Sequence, residues 1–270
     1  MGRSRLIAVA LGAFLLGALT VCLVLLIRGG GGSETGNAAQ PTPRQVAAPP
    51  AVMPAVKALP SAGQLAAAFA AAFGRPDSAR IDGDDHSYRY RPERLIWMGE
   101  RAVLISLGTN VEDFHAASGT MAVHYLAPEG TGFRVTGAWP EIGGGGTFGA
   151  APHHVAVNRS LSPYPVISGE GGGTWQGYTC SWAYLIELGP DRPIESGPIP
   201  LSYTNAGAVL PETGRTMGGD LERTVEGRIG NIRRGRGFDV IFTGTERFIE
   251  HYDYRGNRFA RNTPESRAVC

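Results

Sequence analysis

Tyr178-Thr179-Cys180-Ser181-Trp182-Ala183-Tyr184-Leu185-Ile186-Glu187-Leu188 decides the fold class. Successive side chains of an extended chain point to opposite faces. Tyr178, Cys180, Trp182, Tyr184, Ile186 and Leu188 therefore share one face, and Thr179, Ser181, Ala183, Leu185 and Glu187 the other. The pattern predicts a strand. Outward from it the same period of two recurs. Arg94–Met98 and Arg101–Leu107 flank Gly99-Glu100, a Gly-X pair suited to a type II′ hairpin turn. Met121–Leu126, Phe133–Trp139, Val155–Asn158, Val225–Ile232, Phe238–Thr243 and Phe248–Tyr254 read as further strands, with turns at Arg233–Gly237 and Arg255–Asn257. Roughly ten short strands with Gly, Pro and Asn between them predict a mainly β domain, an antiparallel sandwich or barrel-like fold over Ser61–Cys270.

One short helix precedes the strands. Leu65, Phe69 and Phe73 recur every four residues, Ser61 and Gln64 fit a capping box, and Gly74 and Pro76 end the pattern.

Further upstream the composition changes. Leu6–Ile27 is apolar, broken only by Gly12, Gly17, Thr20 and Cys22, and as a helix would span roughly 33 Å, enough for a hydrocarbon core. Arg3 and Arg5 precede it and only Arg28 follows at once. The positive-inside bias puts the N-terminus in the cytoplasm and the C-terminal domain in the periplasm or extracellular space. Residues 1–28 are therefore predicted to be an uncleaved, single-pass signal anchor contacting the lipid bilayer through residues 6–27. A cleaved signal peptide, ending near Ala38-Ala39, normally has a shorter apolar core. Leu19-Thr20-Val21-Cys22 looks like a lipobox, but Val21 stands where a small residue is expected and Leu23–Ile27 continues the apolar run. Residues 29–60, rich in Gly, Pro and Ala, lack the aromatic and β-branched content that offsets chain-ordering entropy. They predict a disordered tether.

The chain has 270 residues and a net charge of +1, too little positive charge for a general nucleic-acid binder. Lys57 is the sole lysine among its basic residues. Arg228, Arg233, Arg234 and Arg236 gather around one predicted turn, a solvated hairpin tip or a contact for anionic headgroups.

The most distinctive pattern is an internal echo. Trp139-Pro140-Glu141-Ile142 leads to Gly144-Gly145-Gly146-Thr147-Phe148, and Tyr164-Pro165-Val166-Ile167 leads to Gly171-Gly172-Gly173-Thr174-Trp175. Both glycine stretches are expected to be loops at one end of the domain, where bare backbone lets a ligand approach closely. Phe148, Trp175, Gln176 and Tyr178, with His153 and His154, are the candidate binding residues, the aromatics for stacking and the polar groups for hydrogen bonds. Neither stretch has the Lys-Ser/Thr of a phosphate loop.

No catalytic signature is present. There is no G-x-S-x-G, and none of the six histidines has tight metal-ligand spacing. His153 and His154 are adjacent, so in a regular strand they would face opposite ways and could not serve one ion. Asp82-Gly83-Asp84-Asp85-His86 is acidic but lacks the spacing of a calcium loop. No metal or other cofactor is expected. Cys180 should be buried, either free, paired with Cys270 in an oxidising compartment, or left unpaired while Cys270 bridges two chains into a homodimer. These readings point to a membrane-tethered envelope domain that binds an envelope protein or a glycan. A tethered hydrolase using His153 or His154 with Glu141 or Glu170, and a purely structural role, are the alternatives.

Overall fold

The structure, a computed structural model, describes residues 54–83, 85–112, 114–263 and 265–268. The chain divides into two compact units, 1–50 and 51–270, and every described residue belongs to the second. The predicted anchor and most of the predicted tether lie outside the described residues. Among the described residues no helix is long and apolar enough to cross a membrane.

The fold is mainly β, with antiparallel sheets and one α-helix, α1 (Ser61–Phe73). The strands are β1 (Ala79–Asp82), β2 (Ser87–Met98), β3 (Arg101–Asn110), β4 (Thr120–Glu129), β5 (Gly132–Gly144), β6 (His153–Asn158), β7 (Val166–Trp175), β8 (Tyr178–Leu188), β9 (Pro193–Thr204), β10 (Val209–Leu210), β11 (Arg215–Thr216), β12 (Thr224–Arg233), β13 (Gly237–Gly244), β14 (Phe248–Arg255) and β15 (Arg258–Arg261). They form two meanders in sequence. The first sheet has the order β1-β2-β3-β4-β5. The second runs β15-β14-β13-β12-β9-β8-β7-β6, with the β10-β11 hairpin inserted between β9 and β12. Every strand pair is antiparallel, as short hairpin connections require.

Three cores follow from the alternation. On one face of the first sheet, Tyr88, Tyr90, Ala102, Leu104, Ala122 and Leu126 pack with Phe69 and Phe73 of α1. On the other face, Val103, Ile105, Val123 and Tyr125 meet Ile167, Ile186 and Leu188 of the second sheet, which makes the domain sandwich-like. The third core lies within the second sheet's curl: Val166, Leu185, Ile199, Val225, Phe238, Val240, Phe242, Tyr252 and Phe259 share one cluster. The curl brings β15 back over β9, where the Phe259 amide donates to Ser196 Oγ at 2.8 Å. The second sheet is thus a half-barrel. For this reason β8, predicted to bury one face, is buried on both faces in its second half, from Leu185 to Leu188.

Three expectations need correction. The disorder predicted for residues 29–60 does not extend to residue 60. Ala55–Ala58 forms a 3-10 turn, Val56 is fully buried in the α1 core, and its amide donates to Gly130 O. The Ser61/Gln64 capping box does not form, because Pro60 is the N-cap and no side chain caps the helix. The Gln64 amide instead donates to Leu59 O and Lys57 O and accepts from Trp97 Nε1 at 2.9 Å, which ties the helix start to β2. Finally, Gly171–Gly173 are not a loop. They lie within β7, paired with Trp182, Ser181 and Cys180 of β8.

Candidate functional site

The two halves of the sequence echo come together. Gly143 and Gly144 end β5, and Gly145–Ala150 forms a loop that lies against β7. The Thr147 amide donates to Gly172 O at 3.0 Å, the Gly146 amide to Ala150 O and the Gly145 amide to Gly119 O. The approach is close because the side chains are missing. A Cβ on Gly171 would be built into the carbonyl group of Gly145, and one on Gly145 into the carbonyl of Ala150. The glycines permit backbone-to-backbone packing that any other residue would block.

This packing leaves an open groove of about 450 Å³. Gly146 and Gly171–Gly173 contribute backbone to its lining. Thr147, Thr174, Thr179 and Ser181 bring hydroxyls, and His115, Phe148, Ala150 and His153 complete it along with Cys180. No Arg, Lys, Asp or Glu is among these lining residues. The volume lies in the range of ordinary ligand sites.

Phe148 is the prominent group. It sits at φ +55°, an uncommon conformation for an aromatic residue, and its side chain is 58% exposed. His115 meets it edge-on at 5.0 Å and meets Trp175 edge-on at 5.9 Å, while Trp175 stacks on Trp182 at 6.0 Å. The Trp175 indole also lies across Gly173, where an added Cβ would sit 2.6 Å from Trp175 Cη2. It therefore backs the groove rather than lining it.

The hydroxyls continue beyond the groove as a ladder. Thr174 Oγ1 and Thr179 Oγ1 are 2.8 Å apart, Ser181 Oγ and Ser202 Oγ 2.7 Å, and Thr204 Oγ1 and Thr224 Oγ1 2.7 Å. They span β7, β8, β9 and β12.

The remaining predicted site residues divide. Gln176 is exposed in the β7–β8 turn at φ +51°, and Tyr178 packs near Tyr203 at 6.4 Å; neither lines the groove. Cys180 is buried and disulfide-bonded, with Cys22 and Cys270 both outside the described residues. His153 and His154 overturn the alternation argument. His154 has φ +49°, and the β6–β7 register shifts between His153 and Ala156. At this bulge both imidazoles turn toward Glu170 of β7. His154 Nδ1 lies 3.1 Å from Glu170 Oε2 and His153 Nε2 lies 4.0 Å from it, with the two rings 4.6 Å apart. Glu141 is elsewhere, and its charge helps raise the pKa of Tyr88 and Tyr90, secondary to their burial. Of the arginine cluster, Arg233 pairs with Asp239 and Arg234 donates to the carbonyls of Ser162 and Pro163.

Sequence reasoning missed His115 and the hydroxyls of Thr147, Thr174, Thr179 and Ser181. His115 comes from the β3–β4 connection and carried no motif. Comparison with known family models, characterised proteins and solved structures returns no match.

Proposed function

We propose that this chain is a binding protein of the cell envelope whose groove takes a neutral, hydroxyl-rich ligand, a glycan of the cell wall or surface. The observation that supports it is the groove's chemistry. Exposed Phe148, edge-on to His115, offers a flat apolar surface to a sugar ring. Bare backbone at Gly171–Gly173 lets a ligand approach closely, the hydroxyls of Thr147, Thr174, Thr179 and Ser181 offer hydrogen bonds, and no charged Arg, Lys, Asp or Glu side chain lines the groove to favour an anion or cation.

The envelope setting rests on two features. Leu6–Ile27 has the length and apolarity of a membrane anchor. Cys180 is disulfide-bonded, and such bonds persist mainly in oxidising compartments. In this reading the anchor is uncleaved, the N-terminus is cytoplasmic, and residues 51–270 stand outside the plasma membrane. A bridge from Cys180 to Cys270 closes the domain.

Co-sedimentation of the full-length chain with purified peptidoglycan sacculi, chitin and cellulose tests the binding. Binding to at least one polymer, weakened five- to tenfold by Phe148→Ala, is expected, since one lost stacking contact is worth about 1 kcal/mol. Soluble behaviour with all three, or an undiminished Phe148→Ala variant, would sink the reading.

The His154–Glu170 contact supports a second reading, a tethered glycan hydrolase. Release of soluble sugar from a bound polymer, abolished by Glu170→Gln with binding retained, would replace the binding role with this one.

A further inference from the structure

We infer that His153, His154 and Glu170 form a binding site for a borderline transition-metal ion of the zinc class. Each residue offers one ligand atom, and these atoms lie within 4.8 Å of one another. It is the sole such group of three or more among the described residues.

Two imidazole nitrogens and one carboxylate oxygen are a donor set that Zn²⁺ accepts at about 2.0–2.2 Å, leaving a fourth tetrahedral position open. Ligand atoms of such a tetrahedron stand roughly 3.3 Å apart, a separation that follows from those bond lengths. Glu170 Oε2 is already 3.1 Å from His154 Nδ1 and 4.0 Å from His153 Nε2, and all three ligand atoms lie within 4.8 Å, so side-chain movement of no more than roughly 1.5 Å closes the set.

The backbone supports the same conclusion. A regular β6 would send neighbouring side chains to opposite faces. The bulge between His153 and Ala156, with His154 at φ +49°, brings them to one side instead. A non-glycine residue held in the left-handed region costs free energy and persists where the surroundings over-determine it, often at ligand sites. All three side chains are reachable from solvent, at 56%, 73% and 34% exposure. His153 also lines the glycine-floored groove, so the cluster adjoins that groove.

The site stands on the β6–β7 geometry and is independent of glycan recognition, so metal binding without any polymer binding would leave it intact.

The test uses the full-length, tag-free chain, stripped with a chelator and titrated with Zn²⁺ by equilibrium dialysis against a competing chromophoric chelator. One equivalent per chain is expected, with affinity reduced at least tenfold in His153→Ala, His154→Asn and Glu170→Gln, and unchanged in His251→Ala. Asn tolerates positive φ, and Gln keeps the volume of Glu, so these two variants preserve the local backbone. Co²⁺ loading should also give the intense visible bands of a tetrahedral site, lost in His154→Asn. Absence of a stoichiometric equivalent would overturn the proposal. So would an equivalent that survives in His154→Asn and Glu170→Gln, because the ion would then be held elsewhere.

Discussion

Gly171→Ala is expected to destabilise the domain, and the contact between the two glycine segments gives the size. The new Cβ would clash with the Gly145 carbonyl oxygen and lie 2.6 Å from its carbon and 3.1 Å from Gly145 Cα. All three atoms are backbone, so no rotamer change relieves the clash. The 145–150 loop must shift by roughly 1 Å to restore ordinary van der Waals distances. That shift strains the bond from the Thr147 amide to Gly172 O, now 3.0 Å, worth about 1 kcal/mol. Overpacking adds about 1–3 kcal/mol, and the lower unfolded-state entropy of Ala offsets about 0.4–1 kcal/mol. The net loss is about 1–3 kcal/mol, a fall in Tm of roughly 3–10 °C for a domain of this size. Thermal unfolding followed by circular dichroism measures it. Gly63→Ala is the control, since its Cβ meets Leu59 Cβ at 3.6 Å, an ordinary contact, and it should leave Tm unchanged or slightly raised. Gly173→Ala behaves differently, because its Cβ meets side-chain atoms of Thr147 and Trp175 rather than backbone. It should cost less stability but displace the indole and weaken ligand binding. A Gly171→Ala protein with wild-type Tm would refute the packing of the Gly145–Ala150 loop on β7.

Two further outcomes follow from the cores. His124 is buried on β4, edge-on to Phe73 at 4.9 Å, and burial lowers its pKa to about 4. Between about pH 4 and 6.5 the unfolded chain takes up a proton there that the folded chain does not. Stability should therefore be constant from this source above about pH 6.5 and fall by on the order of 3 kcal/mol as the pH drops to 4. Urea unfolding at pH 7 and pH 4.5 reads this, and His124→Leu should flatten that limb; equal pH dependence in the variant would refute it. Non-reducing peptide mapping should link Cys180 to Cys270 within one chain, and reduction should cost about 4–5 kcal/mol in the chain-entropy model. A Cys180–Cys22 peptide, or a link between chains, would contradict this pairing.

The strands with clean alternation were legible in the sequence. β8 has the limits its pattern implies, and the Gly99 turn joins β2 to β3 with Gly99 at φ +66°. What failed was where local chemistry and tertiary context disagree. β7 reads as a loop because Gly171–Gly173 has no intrinsic strand preference. It is a strand because β8 and β6 pair with its two edges, and it is glycine because Gly145 lies against it. β9 was missed because Pro193, Pro198 and Pro200 interrupt it. The pairing shows how they are accommodated. β12 pairs with β9 only at Ser202–Thr204, and the β8–β9 register shifts near Pro200 and Ile199, so these prolines lie outside a continuous two-sided ladder. Of the aromatic residues that flank the glycines, Phe148 lines the groove, whereas Trp175 and Tyr178 do not. The joint orientation of His153 and His154 was not legible in the sequence, because it depends on one residue's positive φ and a bulge that alternation cannot reveal.

Hydrogen–deuterium exchange on the full-length chain, with and without saturating soluble cell-wall glycan fragments, tests glycan binding at the groove most directly. The account predicts slowed exchange at amides of residues 145–150 and 171–181, where the Thr147 amide meets Gly172 O, with β13–β15 unchanged. Protection confined to other strands, or no protection at any glycan concentration, would contradict it.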